Sequence, residues 1–89
     1  MKKYQEGKYT VEESYHYKAY YYNDLLHRDD DLPTVEYKDG TKEWYQNGKR
    51  HRLDGAAVEY SDGTKAWIIN EKYYSEEEHK RIVNFLGFL

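Results

Sequence analysis

A chain of 89 residues has room for one modest core and leaves a large share of its surface in water, and its mixed charge, −3 overall, excludes both a nucleic-acid binder working by bulk attraction and a strongly acidic mimic of DNA. With no cysteine there is neither a disulfide framework nor a thiolate metal site, and the apolar content is aromatic, 12 tyrosines and 2 tryptophans against one methionine, which suits a thin sheet better than a thick globule. The opening MKKYQEGKY holds no apolar run fit for a signal peptide and no stretch is long enough to span a membrane, so the expected location is the cytoplasm.

In chain order the first signal is a repeat. Residues 34–54 (TVEYKDGTKEWYQNGKRHRLD) recur as 57–70 (AVEYSDGTKAWIIN) at an offset of 23. A degenerate earlier copy lies 24 residues upstream, where Thr10, Val11 and Glu12 match Thr34, Val35 and Glu36, and Tyr20, Asn23, His27 and Arg28 match Trp44, Asn47, His51 and Arg52. One domain, 1–89, is therefore expected, with repeats over 10–33, 34–56 and 57–74 and a helix over 76–86. Asp39-Gly40, Asn47-Gly48 and Asp62-Gly63 each spell a two-residue type I′ turn, so the fold class is mainly β: an antiparallel meander of β-hairpins. Asn23-Asp24 and Asn70-Glu71 occupy the Asn47-Gly48 position with poorer turn residues.

Counting outward from two-residue turns at Asp39-Gly40 and Asp62-Gly63 sets Tyr37 opposite Lys42, Val35 opposite Trp44, Tyr60 opposite Lys65, Val58 opposite Trp67 and Ala56 opposite Ile69. The Asn-x turns set His27 opposite Tyr20, His51 opposite Trp44 and Tyr74 opposite Trp67. The terminal SEEEHKRIVNFLGFL has an N-cap at Ser75, a capping box through Glu78 and a stop at Gly87. His79, Ile82, Val83 and Leu86 recur at helical spacing with Phe85 and Leu89 beside them, which calls for burial against a Val/Trp face of the sheet. The expected core is Val35, Trp44, His51, Val58, Trp67, Ile82 and Leu86.

No residue pattern points to chemistry. His27 and His51 stand at equivalent structural positions, and His16 and His79 have no companion at ligand spacing, so no metal site is expected. Asp29-Asp30-Asp31 lacks the glycine hinge and distal glutamate of a calcium loop and reads as a solvated loop partly paired with Arg28. Ser14, Ser61 and Ser75 have no histidine and carboxylate placed to activate them, and there is no glycine-rich phosphate loop, so neither an enzyme nor a cofactor is expected. Binding surfaces are the remaining option. Tyr15, Tyr17, Tyr21 and Tyr22 crowd one segment whose alternation must expose some rings, and Lys49 and Arg50 form a basic cluster with Lys42 and Arg52 at the central turn. A protein partner is the leading expectation. Single-stranded nucleic acid stacked on tyrosines is the alternative, and a structural or oligomerising role, including a homodimer through a sheet edge, is a third.

The string WYQNGKRHRLDGAAVEYSDGTKAW resembles the W-Y-x-N-G-K-x-H-R-x-D-G-P-A repeats of bacteriophage and large DNA virus proteins, themselves similar to the MORN β-hairpin repeat. Trp44, Asn47, Gly48, Lys49, His51, Arg52, Asp54 and Gly55 match in place, and KYYSEEEHKRIV resembles the cap of such arrays; Ala56 stands at the proline, and residues 15–19 replace the first Asp-Gly turn. The resemblance spans about residues 10–86 and implies a MORN-like fold and a viral source, without an activity. From it comes the further expectation of a host-defence inhibitor, such as an anti-CRISPR or anti-restriction factor, acting on a host protein in the host cytoplasm.

Overall fold

The first two repeats each contribute one hairpin to a main sheet and a second that leaves its strand order, whereas both hairpins of the third lie within that order. In a computed structural model, which describes residues 1–87, the strands are β1 (Lys2–Glu6), β2 (Tyr9–Glu13), β3 (Tyr17–Tyr22), β4 (Leu25–Leu26), β5 (Val35–Tyr37), β6 (Lys42–Glu43), β7 (Tyr45–Gln46), β8 (Lys49–Arg50), β9 (Val58–Glu59), β10 (Lys65–Ile69) and β11 (Lys72–Tyr74), followed by α1 (Glu76–Phe85). The main sheet runs β1-β2-β3-β5-β6-β9-β10-β11, all antiparallel; β4 pairs only with β3, and β7 with β8. The fold is thus mainly β and hairpin-rich, with one C-terminal helix packed on it.

The Asn-x turns form as their sequence demands. Asn47 (φ 52°) and Gly48 (φ 83°) are both left-handed, and so are Asn23 and Asp24 (51°, 64°) and Asn70 and Glu71 (48°, 71°). The expected partners follow: Trp67 faces Tyr74, and the amides of His27 and His51 donate to the carbonyls of Tyr20 and Trp44, both at 3.1 Å.

The Asp-Gly turns do not form in that way, and the register counted from them is corrected by one residue. Of Asp39 and Gly40 only the glycine takes positive φ (98°), and Tyr37 N–H bonds to Thr41 O at 2.8 Å around a three-residue loop. The Asp39 carboxylate accepts from Thr41 N at 2.8 Å and holds that loop; Asp62 does the same for Thr64 at 2.9 Å. Val35 therefore faces Glu43 instead of Trp44, Val58 faces Ala66 instead of Trp67, and Tyr37 and Tyr60 pair with Thr41 and Thr64 instead of Lys42 and Lys65. Ala56 moves off Ile69 by the same shift. A one-residue slip inverts faces, so Val35 and Val58 lie on one side of the sheet with Ala19, Glu43 and Ile68, and the tryptophans lie on the other.

Stacking of the side hairpins ties repeat to repeat. Gly48 N donates to Leu26 O (2.8 Å) and Glu71 N to Arg50 O (3.0 Å), while the Nδ1 atoms of His27 and His51 accept from Asn47 N and Asn70 N, both at 3.1 Å. Each repeat histidine therefore anchors the turn of the following copy. Burial holds His51 below its usual pKa, with a smaller push from His79, so it stays a neutral acceptor. Arg28 and Arg52 lie 3.8 Å over the rings of Tyr20 and Trp44 and donate to the carbonyls of Pro33 and Ala56, each at 3.0 Å.

Helix α1 starts at a complete Ser75–Glu78 capping box and packs chiefly on β10 and β11, rather than covering the whole sheet. His79 and Val83 are its buried residues, and Ile82 is half-buried. His79 Nε2 donates to Arg52 O at 2.8 Å, as Gln46 Nε2 donates to Arg28 O at 2.8 Å one repeat earlier. The helix thus occupies the place of a next repeat. Leu86, expected in the core, is 61% exposed, and Phe85 is exposed as well, because α1 packs chiefly on the last hairpin and not across the sheet. Val35, Trp44 and Val58 are buried as expected, whereas His51 and Trp67 are half-buried; Leu89 lies outside the described residues.

Candidate functional site

Five aromatic and charged side chains converge on the valine side of the sheet. Glu43, forced inward by the corrected register, is 7% exposed. Its Oε1 accepts from the hydroxyls of Tyr37 and Tyr45, both at 3.3 Å, and its Oε2 from Arg50 Nη2 at 3.1 Å. A buried carboxylate needs such partners, since an unpaired one is strongly disfavoured. Arg50 Nη1 reaches Tyr73 Oη at 3.3 Å, and the Arg50 guanidinium lies over the Tyr45 ring. Burial is the largest single influence on the Arg50 charge and works against it, but Glu43, Tyr45 and Tyr73 together outweigh it and raise its pKa. Burial, then the Glu43 charge, pushes the Tyr37 hydroxyl up to about 12.

Tyr17 extends the cluster across the sheet. Its ring centre is 6.3 Å from that of Tyr37, and its hydroxyl bonds Glu12 at 2.5 Å. Tyr37, Tyr45 and Tyr73 are thus linked through Glu43 and Arg50, with Tyr17 beside Tyr37; Tyr73 is 62% and Tyr37 37% exposed. Rings held at both ends lose little entropy when a partner covers them.

The structure divides the six residues expected to bind. Tyr17, Tyr21 and Arg50 belong to this tyrosine face. Tyr22 points to the opposite face, beside His27 (ring centres 5.9 Å apart) and Lys8. Lys49 is exposed on the other side of its hairpin from Arg50, and Tyr15 is exposed in the 14–16 loop with Lys38 Nζ 3.3 Å from its ring centre. The basic cluster at the central turn is therefore dispersed. Tyr37, Tyr45 and Tyr73 were absent from the sequence expectation, because membership of this face follows from the three-residue loops and the side hairpins.

The acidic loop also departs from expectation. Asp29 pairs with Lys8 and with His27 Nε2 (2.8 Å), and Asp31 with Arg52 through two bonds of 2.8 and 3.0 Å, while Arg28 lies 3.9 Å from Glu36. Bonds from Lys8 and then His27 hold the Asp29 carboxyl down to about 2. Among the described residues no group of three or more His, Asp or Glu is placed to hold a metal ion, and no helix is long and apolar enough to cross a membrane. Comparisons with family models, curated proteins and solved structures find no match for this chain.

Proposed function

We propose that this chain is a non-catalytic protein-binding module that docks through the tyrosine face. The observation carrying the reading is the pair of the buried Glu43 with the half-buried Arg50, which hydrogen-bonds the hydroxyls of Tyr37, Tyr45 and Tyr73 while Tyr37 and Tyr73 stay exposed. Tyrosine and arginine are the residues most enriched where binding energy concentrates, and pre-set side chains lower the entropic cost of association. Nucleic acid draws less support as the partner, because the Arg50 charge is already matched by Glu43 and Lys49 points away from the tyrosines. A homodimer through a sheet edge also draws less, since the β1 edge carries exposed Lys2, Lys3 and Glu6, charges that discourage strand pairing. The resemblance to phage and large-virus MORN-like repeats extends the proposal to a viral protein acting on a host protein in the host cytoplasm, with inhibition of a defence factor as its specific form. The test is capture from nuclease-treated host lysate by wild type and by Tyr73→Ala. One nuclease-resistant protein held by the wild type and released by the variant, with equal melting of the two, supports the reading; a bound set that vanishes with nuclease overturns it.

A further inference from the structure

The junction between the second and third repeats closes on one histidine. The turn of the β10–β11 hairpin, Asn70-Glu71, meets the second copy through three bonds: Asn70 N donates to His51 Nδ1 at 3.1 Å, Glu71 N to Arg50 O at 3.0 Å, and Arg50 N to the Glu71 carboxylate at 2.7 Å. A backbone amide only donates, so His51 Nδ1 is the bare nitrogen and the ring proton sits on Nε2. The imidazolium carries a proton on both nitrogens, and no flip of the ring restores an acceptor. A proton gained at Nδ1 therefore sets two donors against each other at the tip of the turn.

The surroundings oppose that proton. Burial holds His51 below its ordinary value of 6.5, His79 on α1 adds a smaller push in the same direction, and the Asn70 side chain pulls weakly the other way. The other charged groups around the ring are Asp31, Arg52 and Asp54, which line the same hollow, and Arg50 and Glu71 in the junction itself; Asp31 and Arg52 are already paired through bonds of 2.8 and 3.0 Å. The same turn leads into β11 and its Tyr73, whose hydroxyl accepts from Arg50 Nη1 at 3.3 Å. We propose that His51 is a proton-operated latch: protonation at Nδ1 releases the Asn70-Glu71 turn from Arg50 and loosens the Tyr73 end of the sheet while the rest of the fold stays closed. The inference concerns the free chain and does not rest on the tyrosine face being a docking surface.

Opening returns His51 towards its ordinary value, so the closed turn is favoured above pH 6.5 and is lost progressively as the pH falls below it. The test is amide hydrogen exchange by NMR on the full 15N-labelled chain at about pH 7.5 and about pH 5.5, corrected for the pH dependence of intrinsic exchange. Both conditions lie well above the Asp29 carboxyl, which is held down to about 2. The opening constants of the Asn70 and Glu71 amides should rise about three- to tenfold on acidification, since one proton contributes at most about tenfold per pH unit. That opening should be insensitive to about 1 M urea, because a local release exposes little surface. His51→Gln supplies a carbonyl acceptor that does not titrate and should remove the pH response. His79→Gln keeps a donor for the Arg52 carbonyl and should move the response to higher pH. A Glu71 opening constant that is equal at the two pH values, that rises as much in His51→Gln, or that follows the β2 amides in urea overturns the proposal. So does a long-range 15N spectrum of the wild type that places the His51 proton on Nδ1 at the higher pH, a result that needs no variant.

Discussion

Arginine 52 is the most connected side chain in the repeat architecture, and Arg52→Ala tests whether such arginines hold the array together. The substitution strips the Ala56 carbonyl, on a residue 2% exposed, of its Arg52 bond, at about 1–3 kcal/mol. Loss of the guanidinium 3.8 Å over Trp44 removes about 1 kcal/mol more. The pairs with Asp31 and Glu59, whose carboxylates are more than a third exposed, add only about 0.5 kcal/mol each after solvent screening. The sum is about 3–5 kcal/mol, a large part of the roughly 4–13 kcal/mol expected for a chain this long. Arg28→Ala is the internal comparison. It loses the Pro33 carbonyl bond and the Tyr20 stack but only a 3.9 Å contact with Glu36, so about 2 kcal/mol is expected. Arg52→Lys should recover less than half of the loss, since an ammonium cannot hold the carbonyl and two carboxylates in one plane. Equilibrium urea unfolding followed by tryptophan fluorescence gives all three values. The reasoning fails if Arg52→Ala stays within about 1 kcal/mol of wild type, or if Arg28→Ala is the more damaging change.

Trp44→Ala should cost about 3–5 kcal/mol and Trp67→Ala less, because Trp67 is half-buried; equal losses in thermal melts would contradict the burial described here. Asp24→Gly should stabilise the protein by about 0.5–1 kcal/mol, since φ 64° suits glycine better and Asp24 makes no side-chain bond in its turn; the melting temperature reads this directly. The Asp29 carboxyl has a folded pKa below its unfolded one, so its contribution is complete above about pH 5 and is lost as the pH falls towards 2. Lys8→Met should flatten that part of the stability–pH curve, and an unchanged slope would assign acid sensitivity to other groups. Ser75→Ala should cost about 1 kcal/mol through loss of the cap, visible as lower helical circular dichroism before the sheet melts.

Where a residue's own backbone preference decides the geometry, the sequence was informative. Asn47-Gly48 can hold two left-handed residues, and the pairs predicted from it formed. Asp39-Gly40 can close either a two- or a three-residue loop, and the bond from the Asp39 carboxylate to Thr41 N decides for three. That one-residue difference moved Glu43 inward and divided valines from tryptophans, so the tyrosine face was hidden behind it. The first hairpin was missed for a different reason. Tyr4-Gln5-Glu6-Gly7-Lys8 echoes Tyr45-Gln46-Asn47-Gly48-Lys49, but at an offset of 41 that falls outside the repeat phase of 23–24. Charge pairings such as Lys8–Asp29 and Arg52–Asp31 join residues 21 apart across stacked copies, and no local spacing specifies them.

The most direct test of the tyrosine face is photo-crosslinking in cells producing the protein, with benzoylphenylalanine placed at position 73 and, separately, at position 22. Both tyrosines are exposed but lie on opposite faces, so the pair distinguishes a specific face from general stickiness. A discrete protein adduct from position 73 and none from position 22 is the expected result. Adducts from position 22 alone, or an identical set from both, would contradict the account.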